Sequence, residues 1–215
     1  MVNGVEIKVC GLTRLSDALA AESLGVDYLG FNFFPESPRY LSIPDYRSIS
    51  EKLPDLPTVA IAVLPDRETI VSLQELGINF YQFHYPAEET PQSTIQEWSS
   101  ILGPEKLWLA PRITPPDIFQ EDCLPLADTW LLDAYRKGAY GGTGQTSDWA
   151  EFARISEKHP EKTWILAGGL GPDNVKAALA ETGAKRIDLN SGVEILPGIK
   201  DPSKLESVKN ALETL

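Results

Sequence analysis

The stretch that decides the fold lies near the start of the chain and reads Glu6-Ile7-Lys8-Val9-Cys10-Gly11. Apolar Ile7 and Val9 alternate with charged neighbours, which is the period of a strand with two different faces. The glycine ends the run and favours a turn. The stretch therefore predicts a strand that carries a thiol to its C-terminal end, where a reacting group could be reached.

Runs of this kind recur along the chain and alternate with helical patterns, giving eight pairs. The predicted strands are Glu6–Cys10, Tyr28–Phe33, Thr58–Leu64, Phe80–His84, Lys106–Arg112, Thr129–Ala134, Thr163–Ala167 and Arg186–Asn190. The predicted helices are Ser16–Leu24, Asp45–Lys52, Arg67–Leu76, Gln92–Ile101, Asp148–Lys158, Pro172–Glu181 and Pro202–Leu212, with Pro115–Leu126 as the least helix-like connection.

Strict alternation of strand and helix predicts a parallel sheet, since each crossover covers one face of it. Eight repeats of about 27 residues indicate a closed (β/α)₈ TIM barrel of the α/β class. The alternative is a doubly wound open sheet, but that fold carries a glycine-rich first turn that is absent here. No shift in composition divides residues 1–215, so we expect a single domain.

Composition narrows the possible partners. The net charge is -12 and the pI is about 4.6, which disfavours a nucleic-acid surface because phosphate neutralisation needs clustered Lys and Arg. The sequence has neither a signal-peptide pattern nor a long apolar run, so we expect a cytoplasmic protein without a membrane segment. The two cysteines, Cys10 and Cys123, have no metal-ligand cluster around them in the sequence, and we expect no metal.

Strand alternation predicts which side chains point into the barrel. Residues two apart share a face, so the helix-facing apolar residues leave polar ones inside near the C-terminal strand ends, where barrel enzymes carry their sites. For any one of these residues a purely structural role is the simpler explanation; Asp188, for instance, could be a buried partner of Lys8. Several strands, however, bring polar side chains to the same end of the barrel, and this indicates a binding site. Its members are Lys8, Cys10, Asn32, Gln82, His84, Asp133, Asp188 and Asn190.

Two of these groups suit proton transfer. Lys8 lies one pleat below Cys10, and we expect its ammonium to favour the thiolate, which makes Cys10 a base or nucleophile. Asp133 ends the sixth strand and could act as an acid if its neighbours desolvate it.

Glycine-rich segments follow the last three strands. They contain Gly142 and Gly144 after the sixth strand, Gly168 and Gly169 after the seventh, and Asn190, Ser191 and Gly192 after the eighth. Loops after strands seven and eight commonly bind phosphate in this fold. We therefore expect an anionic, phosphorylated ligand, and we interpret Tyr135–Ser147 as a lid or as an ordinary surface loop.

Motifs across nearly the whole chain are similar to those of the phosphoribosylanthranilate isomerase family of tryptophan biosynthesis. They are Lys8–Thr13, Gly30–Phe33 with Ser37–Tyr40, Gln82–His84, Leu131–Ala134, Gly141–Gly144 with Asp148-Trp149, Ala167–Leu170, Ser191–Glu194, Pro197-Gly198 and Lys200–Pro202. The resemblance implies a (β/α)₈ barrel that needs no cofactor and converts N-(5′-phosphoribosyl)anthranilate to 1-(2-carboxyphenylamino)-1-deoxyribulose 5-phosphate.

Site roles follow from the same resemblance. Asp133 would protonate the furanose oxygen, Cys10 would take the C2′ proton, and Arg39 would hold the anthranilate carboxylate. The glycine loops would hold the phosphate, and we assign Lys8, Gln82, His84 and Asp188 to substrate binding. The oligomeric state is expected to be a monomer or a homodimer.

The chain departs from the usual family pattern at several positions, which bears on lid closure and on substrate and phosphate packing. These are Leu64-Pro65, Tyr85, Gln145, Ser147 and Asn190. Two other functions remain open on the residues alone: a noncatalytic sugar-phosphate-binding relative, and the related phosphoribosyl-amine isomerase of histidine biosynthesis. The second family uses an aspartate where Cys10 stands, so Cys10 favours the tryptophan enzyme.

Overall fold

Eight parallel strands close into a barrel in the computed structural model, which describes residues 1–113, 119–133 and 149–215. Neighbours in sequence are neighbours in space, and β1 pairs with both β2 and β8, for instance Ile7 with Ile187. The predicted (β/α)₈ barrel is confirmed. The strands are β1 (Glu6–Val9), β2 (Tyr28–Asn32), β3 (Thr58–Val63), β4 (Phe80–Pro86), β5 (Leu107–Arg112), β6 (Thr129–Asp133), β7 (Thr163–Ala167) and β8 (Arg186–Leu189).

Seven α-helices lie between and after the strands of the described chain: α1 (Leu15–Ser23), α2 (Ile43–Ser50), α3 (Arg67–Gln74), α4 (Gln92–Leu102), α5 (Trp149–Lys158), α6 (Val175–Thr182) and α7 (Pro202–Glu213). Asp66 caps α3 by accepting a hydrogen bond from the Thr69 amide at 2.8 Å, as its position predicts. The connection before β6 contains a 3₁₀ helix, Glu121–Leu126, instead of an α-helix.

The predicted start of α6 at Pro172 is wrong. The helix begins at Val175 because Asn174 closes the preceding turn: its Oδ1 accepts from the Gly171 amide at 2.9 Å, and its Nδ2 donates to Gly169 O at 3.1 Å. The three residues after Gly171 therefore belong to the loop that follows β7. This lengthens the loop in which phosphate binding is expected.

Strand alternation divides the buried side chains into two cores, as predicted. The outer core lies between strands and helices and includes Ile7, Val9, Phe31, Phe83 and Trp130. The inner core fills the barrel, with Tyr28 and Phe80 packed against it, and consists of Cys10, Val59, Ile61, Trp108, Ala110, Leu131, Ile165 and Ala167. The site residues therefore stand on an apolar floor.

A small antiparallel hairpin follows β8 and was not predicted. It comprises β9 (Glu194–Leu196) and β10 (Ile199–Lys200), preceded by a 3₁₀ turn, Ser191–Val193. The hairpin places Glu194 and Lys200, both buried, beside the loop after β8. Among the described helices, none has the length and apolar character needed to cross a membrane.

Candidate active site

Cys10 follows directly after β1 and is 5% exposed. Its amide donates to Leu189 O at 2.9 Å, which ties the position to the end of β8. Gly11 then turns the chain with φ +71°, a left-handed conformation that side-chain-bearing residues rarely adopt. The thiol is thus fixed at the C-terminal end of its strand, over the inner core.

Lys8 and Asp188 form an ion pair inside the barrel, with 2.7 Å between Nζ and Oδ1 and exposed fractions of 1% and 7%. Burial acts to lower the pKa of Lys8, but Asp188 and the Cys10 thiolate raise it above its ordinary value. Gly30 makes room for this pair: a methyl group there would lie 3.0 Å from Lys8 Cε and 3.1 Å from Cys10 Cα. The sequence analysis named Gly30 within a family motif but assigned it no role of its own.

The structure corrects the expected charge state of Cys10. Burial raises the pKa of the thiol, and the Asp188 carboxylate raises it further. Lys8 and Lys200 act in the opposite direction, as expected of cations, without reversing the net shift. The neutral thiol is therefore favoured, because burial and the Asp188 carboxylate together outweigh the two lysines in setting the pKa of Cys10.

Gln82 and His84 share the inward face of β4, as predicted, and their Nε2 atoms lie 2.7 Å apart. The two side chains therefore make a close polar contact inside the barrel. Burial and the nearby Lys8 lower the pKa of His84 to about 4, although Asp188 opposes this. His84 is thus a neutral group in the site.

Asp133 ends β6, three strands from β1 around the closed ring. Its neighbour on β7 is Ala167, a member of the inner core. The residue is exposed, in contrast to Cys10. Its position at a C-terminal strand end agrees with the prediction.

Arg39 lies in the loop after β2 and packs over the turn at Gly11, where an added methyl group would come within 2.5 Å of Arg39 Cδ. Its guanidinium is held by Glu194: Nε donates to Oε1 at 2.9 Å and an Nη donates to Oε2 at 2.6 Å. This contact with Glu194 raises the pKa of Arg39. The residue proposed to bind a carboxylate thus already has one protein carboxylate along one edge.

The loops after β7 and β8 interlock through glycines. Gly168 and Gly169 have φ of +109° and +63°. A methyl group on Gly192 would lie 2.1 Å from Leu170 O, and one on Gly171 would lie 2.8 Å from Gly192 O. The two loops therefore pack backbone against backbone, and Gly169 and Ser191 are exposed there.

Asn190 directly follows β8, and its Oδ1 lies 2.9 Å from where a methyl group on Gly11 would stand and accepts a hydrogen bond from Lys200 Nζ at 3.0 Å. The remaining predicted phosphate residues, Gly142 and Gly144, lie outside the described residues, as do Gln145, Ser147 and all of the interpreted lid, Tyr135–Ser147. Tyr85 points outward against Trp98 of α4, with ring centroids 5.8 Å apart, so its replacement of a glycine does not fill the barrel. Leu64 has φ +44° and is 47% exposed at the end of β3.

No group of three or more His, Cys, Asp or Glu side chains is placed to hold a metal ion within the described parts of the chain. The groups that the barrel brings together are instead a thiol, a buried lysine–aspartate pair, a neutral imidazole, a carboxyl and an arginine. A parallel barrel with such groups at the C-terminal ends of its strands defines a (β/α)₈-barrel enzyme.

Comparison with known proteins identifies the family. The family model for N-(5′-phosphoribosyl)anthranilate (PRA) isomerase matches residues 7–211. An N-(5′-phosphoribosyl)anthranilate isomerase of Pseudomonas putida (strain GB-1) is 37% identical over 214 residues, covering 97% of this chain and 98% of the relative.

Two solved structures show the same similarity. Phosphoribosyl anthranilate isomerase in complex with reduced 1-(o-carboxyphenylamino)-1-deoxyribulose 5-phosphate superposes with a TM-score of 0.77 at 29% identity, over 98% of this chain and 100% of that one. The structure of monomers generated from the dimeric phosphoribosylanthranilate isomerase of Thermotoga maritima gives a TM-score of 0.75 at 30% identity, over 98% of this chain and 100% of that one. The chain belongs to the N-(5′-phosphoribosyl)anthranilate isomerase family and is an enzyme of the isomerase class.

Proposed function

We propose that this chain performs the isomerisation of N-(5′-phosphoribosyl)anthranilate in tryptophan biosynthesis with Cys10 as base and Asp133 as acid. The observation that carries the proposal is the fixed placement of a thiol and a carboxyl at the ends of β1 and β6, above one apolar floor. In a barrel these strand ends face a common mouth.

The proton steps balance without a cofactor. Protonated Asp133 gives its proton to the furanose ring oxygen, and the C1′–O bond breaks as the anthranilate nitrogen forms a Schiff base. The Cys10 thiolate then takes the C2′ proton, which gives an enolamine. The Asp133 carboxylate then takes the enol O2′ proton and the Cys10 thiol gives its proton to C1′, which yields the ketone and restores the protonated acid and the thiolate.

The buried ion pair gives the thiol its electrostatic setting. Cys10 is favoured as a neutral thiol before substrate enters, because burial and Asp188 raise its pKa. When the thiol releases its proton to solvent, Lys8 stabilises the resulting thiolate, since a cation beside a buried anion offsets part of the desolvation penalty. We assign Lys8 and Asp188 to this role in the substrate site, with Gln82 and His84 as neutral polar contacts.

Both ends of the substrate are anionic. We propose that Arg39 contacts the anthranilate carboxylate, and that the backbone of Gly168, Gly169, Ser191 and Gly192, with Asn190, contacts the phosphate. The described part of that cradle combines two left-handed glycines with an exposed serine. Gly142 and Gly144 are proposed for the same ligand from the sequence alone.

Two further assignments belong to this proposal. We infer a cytoplasmic location, with which the two free cysteines agree because disulfides are rare there. The oligomeric state is proposed to be a monomer or a homodimer. A chain that only binds sugar phosphates is the competing function, favoured by the exposure of Asp133.

The test is turnover by the purified protein on freshly made phosphoribosylanthranilate. We expect wild type to be active and both Cys10→Ala and Asp133→Asn to lose roughly 10²- to 10⁴-fold in kcat, the usual contribution of a general acid or base. Cys123→Ala is the matched control, because Cys123 lies in the outer core away from the site. Turnover that survives both site substitutions would contradict the mechanism, and binding without turnover in wild type would favour the competing function.

A further inference from the structure

Glu194 is a buried carboxylate at the start of β9 with two cations against it. Its Oε1 accepts from Arg39 Nε at 2.9 Å, from Lys200 Nζ at 2.8 Å and from the Gly198 amide at 3.0 Å, and its Oε2 accepts from an Arg39 Nη at 2.6 Å. Glu194 is 7% exposed and Lys200 is 1% exposed. This carboxylate therefore fixes two cationic side chains at once.

The contact with Arg39 determines which edge of the guanidinium is left for a ligand. Glu194 occupies the edge formed by Nε and one Nη. A guanidinium has five N–H donors in a fixed plane, so a second edge remains for another planar carboxylate. Since the Arg39 stem also packs over Gly11, beside Cys10, the arginine has little freedom to choose another orientation.

The contact with Lys200 extends to the loop after β8. Lys200 Nζ donates to Asn190 Oδ1 at 3.0 Å as well as to Glu194. An asparagine whose oxygen is occupied by an ammonium presents its NH₂ on the other side, where it can donate to an anion. Asn190 is one of the positions at which the chain departs from the usual family pattern.

The charges of the cluster also favour an anionic ligand. One carboxylate between an arginine and a lysine leaves a local charge of +1 in a chain whose net charge is -12. The two cations contribute to lowering the pKa of Glu194, so the carboxylate stays ionised although burial opposes this. Without it, two cations would face each other in a desolvated position.

We propose that Glu194 is a positioning residue of the isomerase: it orients Arg39 toward the substrate carboxylate and, through Lys200, orients the Asn190 amide toward the substrate phosphate. This inference rests on the proposed function, in which the ligand carries both anions. Glu194 itself touches neither group. Its effect is transmitted through Arg39 and Lys200.

The test compares two substrates in wild type and Glu194→Gln: phosphoribosylanthranilate, and the corresponding phosphoribosylaniline, which lacks the carboxylate. For the carboxylated substrate we expect KM to rise about 10- to 100-fold with a much smaller change in kcat, since a charge-assisted contact is worth roughly 1.5–3 kcal/mol. For phosphoribosylaniline we expect a clearly smaller rise, due to the phosphate arm alone. Equal rises for both substrates would overturn the orientation of Arg39 by Glu194.

A double-mutant cycle separates positioning from general support of the fold. If Glu194 acts through Arg39, Glu194→Gln in an Arg39→Ala background should raise KM for the carboxylated substrate only by the smaller factor seen with phosphoribosylaniline, which reports the phosphate arm. Full additivity would contradict the inference. Should Glu194→Gln fail to fold, the double variant Glu194→Gln with Lys200→Met removes one cation together with the carboxylate. The rise in KM for phosphoribosylanthranilate is then compared with the rise for phosphoribosylaniline in that variant.

Different results would reject the proposed function and the positioning role of Glu194. Lack of turnover in wild type would reject the function. Positioning can be measured without turnover, from the dissociation constants of the reduced product analogue and of the same analogue without its carboxylate. Glu194→Gln should weaken the carboxylated analogue more than the other. Equal weakening of both would reject the positioning role whether or not the chain is active.

Discussion

His84 is the residue whose protonation reports most directly on the interior of the barrel. Burial and Lys8 lower its pKa to about 4, against about 6.5 in an unfolded chain. As the pH falls, the unfolded chain therefore binds this proton first. The neutral imidazole contributes stability that is fully present above pH 6.5 and is lost as the pH falls to about 4, by at most about 3 kcal/mol.

The chain has only two histidines, so imidazole NMR can follow this titration directly. We expect one resonance set with a midpoint near pH 4, absent in His84→Gln. Between pH 6.5 and 4, urea unfolding should show a steeper loss of stability in wild type than in His84→Gln. Parallel stability curves, or a His84 midpoint near 6.5, would show that the ring is solvated and not close to Lys8.

Sequence reasoning reached most of the residues of the site and named Asp188 as a buried partner of Lys8, but it did not foresee how that pair and burial act on Cys10. Alternation placed Lys8, Cys10, Gln82, His84 and Asp188 on inward faces, because the period of a strand is local. It could not weigh the burial of Cys10 against the charge of Lys8, since that depends on Asp188, which is distant in sequence. Nor could it find Glu194, which is brought to Arg39 by a hairpin of only five strand residues.

At the scale of elements, the loops after β7 and β8 act as one unit because their glycines allow backbone contact. Gly192→Ala would place a methyl group 2.1 Å from Leu170 O, so one loop must move. We expect a loss of about 3 kcal/mol in unfolding free energy, at the upper end for overpacking. Competitive inhibition by inorganic phosphate should weaken in parallel.

Gly183→Ala is the matched control for that change. Gly183 ends α6 with φ +64°, and a methyl group there meets nothing within 4 Å, so only backbone strain of about 1 kcal/mol is expected. Its phosphate inhibition should match wild type. If Gly192→Ala were no more destabilising than Gly183→Ala, the two loops would not be in contact as described.

Element boundaries were predictable where a local signal sets them. Asp66 starts α3 because its side chain satisfies an amide of the first turn. Pro172 carried an equally familiar signal, yet the Asn174 side chain closes a turn there and delays the helix. The 3₁₀ helix at Glu121–Leu126 contains Pro125, which removes an amide donor and explains the weak helical pattern.

At the scale of the whole molecule, the polar and the apolar side chains of the barrel interior come from different strands. Strands β3, β5 and β7 contribute apolar residues such as Ile61, Trp108 and Ile165, whereas β1, β4 and β8 contribute the polar groups. The apolar half keeps the dielectric around the thiol and the ion pair low. The fold could be predicted before any contact was known because eight β-type runs alternate with helical patterns along the chain.

Closure of the barrel gives a last expectation, that the chain unfolds as a single unit. β1 pairs with β8 through four residue pairs, so no division of the sequence leaves two halves with intact sheets. Tryptophans lie in both halves, including buried Trp98, Trp108, Trp130 and Trp164. Urea unfolding followed by tryptophan fluorescence and by far-UV circular dichroism should then give superimposable curves.

Ile7→Ala, which opens a cavity beside the β1–β8 seam, should lower both midpoints equally, because it reduces the free energy of unfolding by roughly 2–5 kcal/mol. Two separated transitions, or a shift seen by one probe alone, would mean that the N-terminal and C-terminal halves are distinct domains.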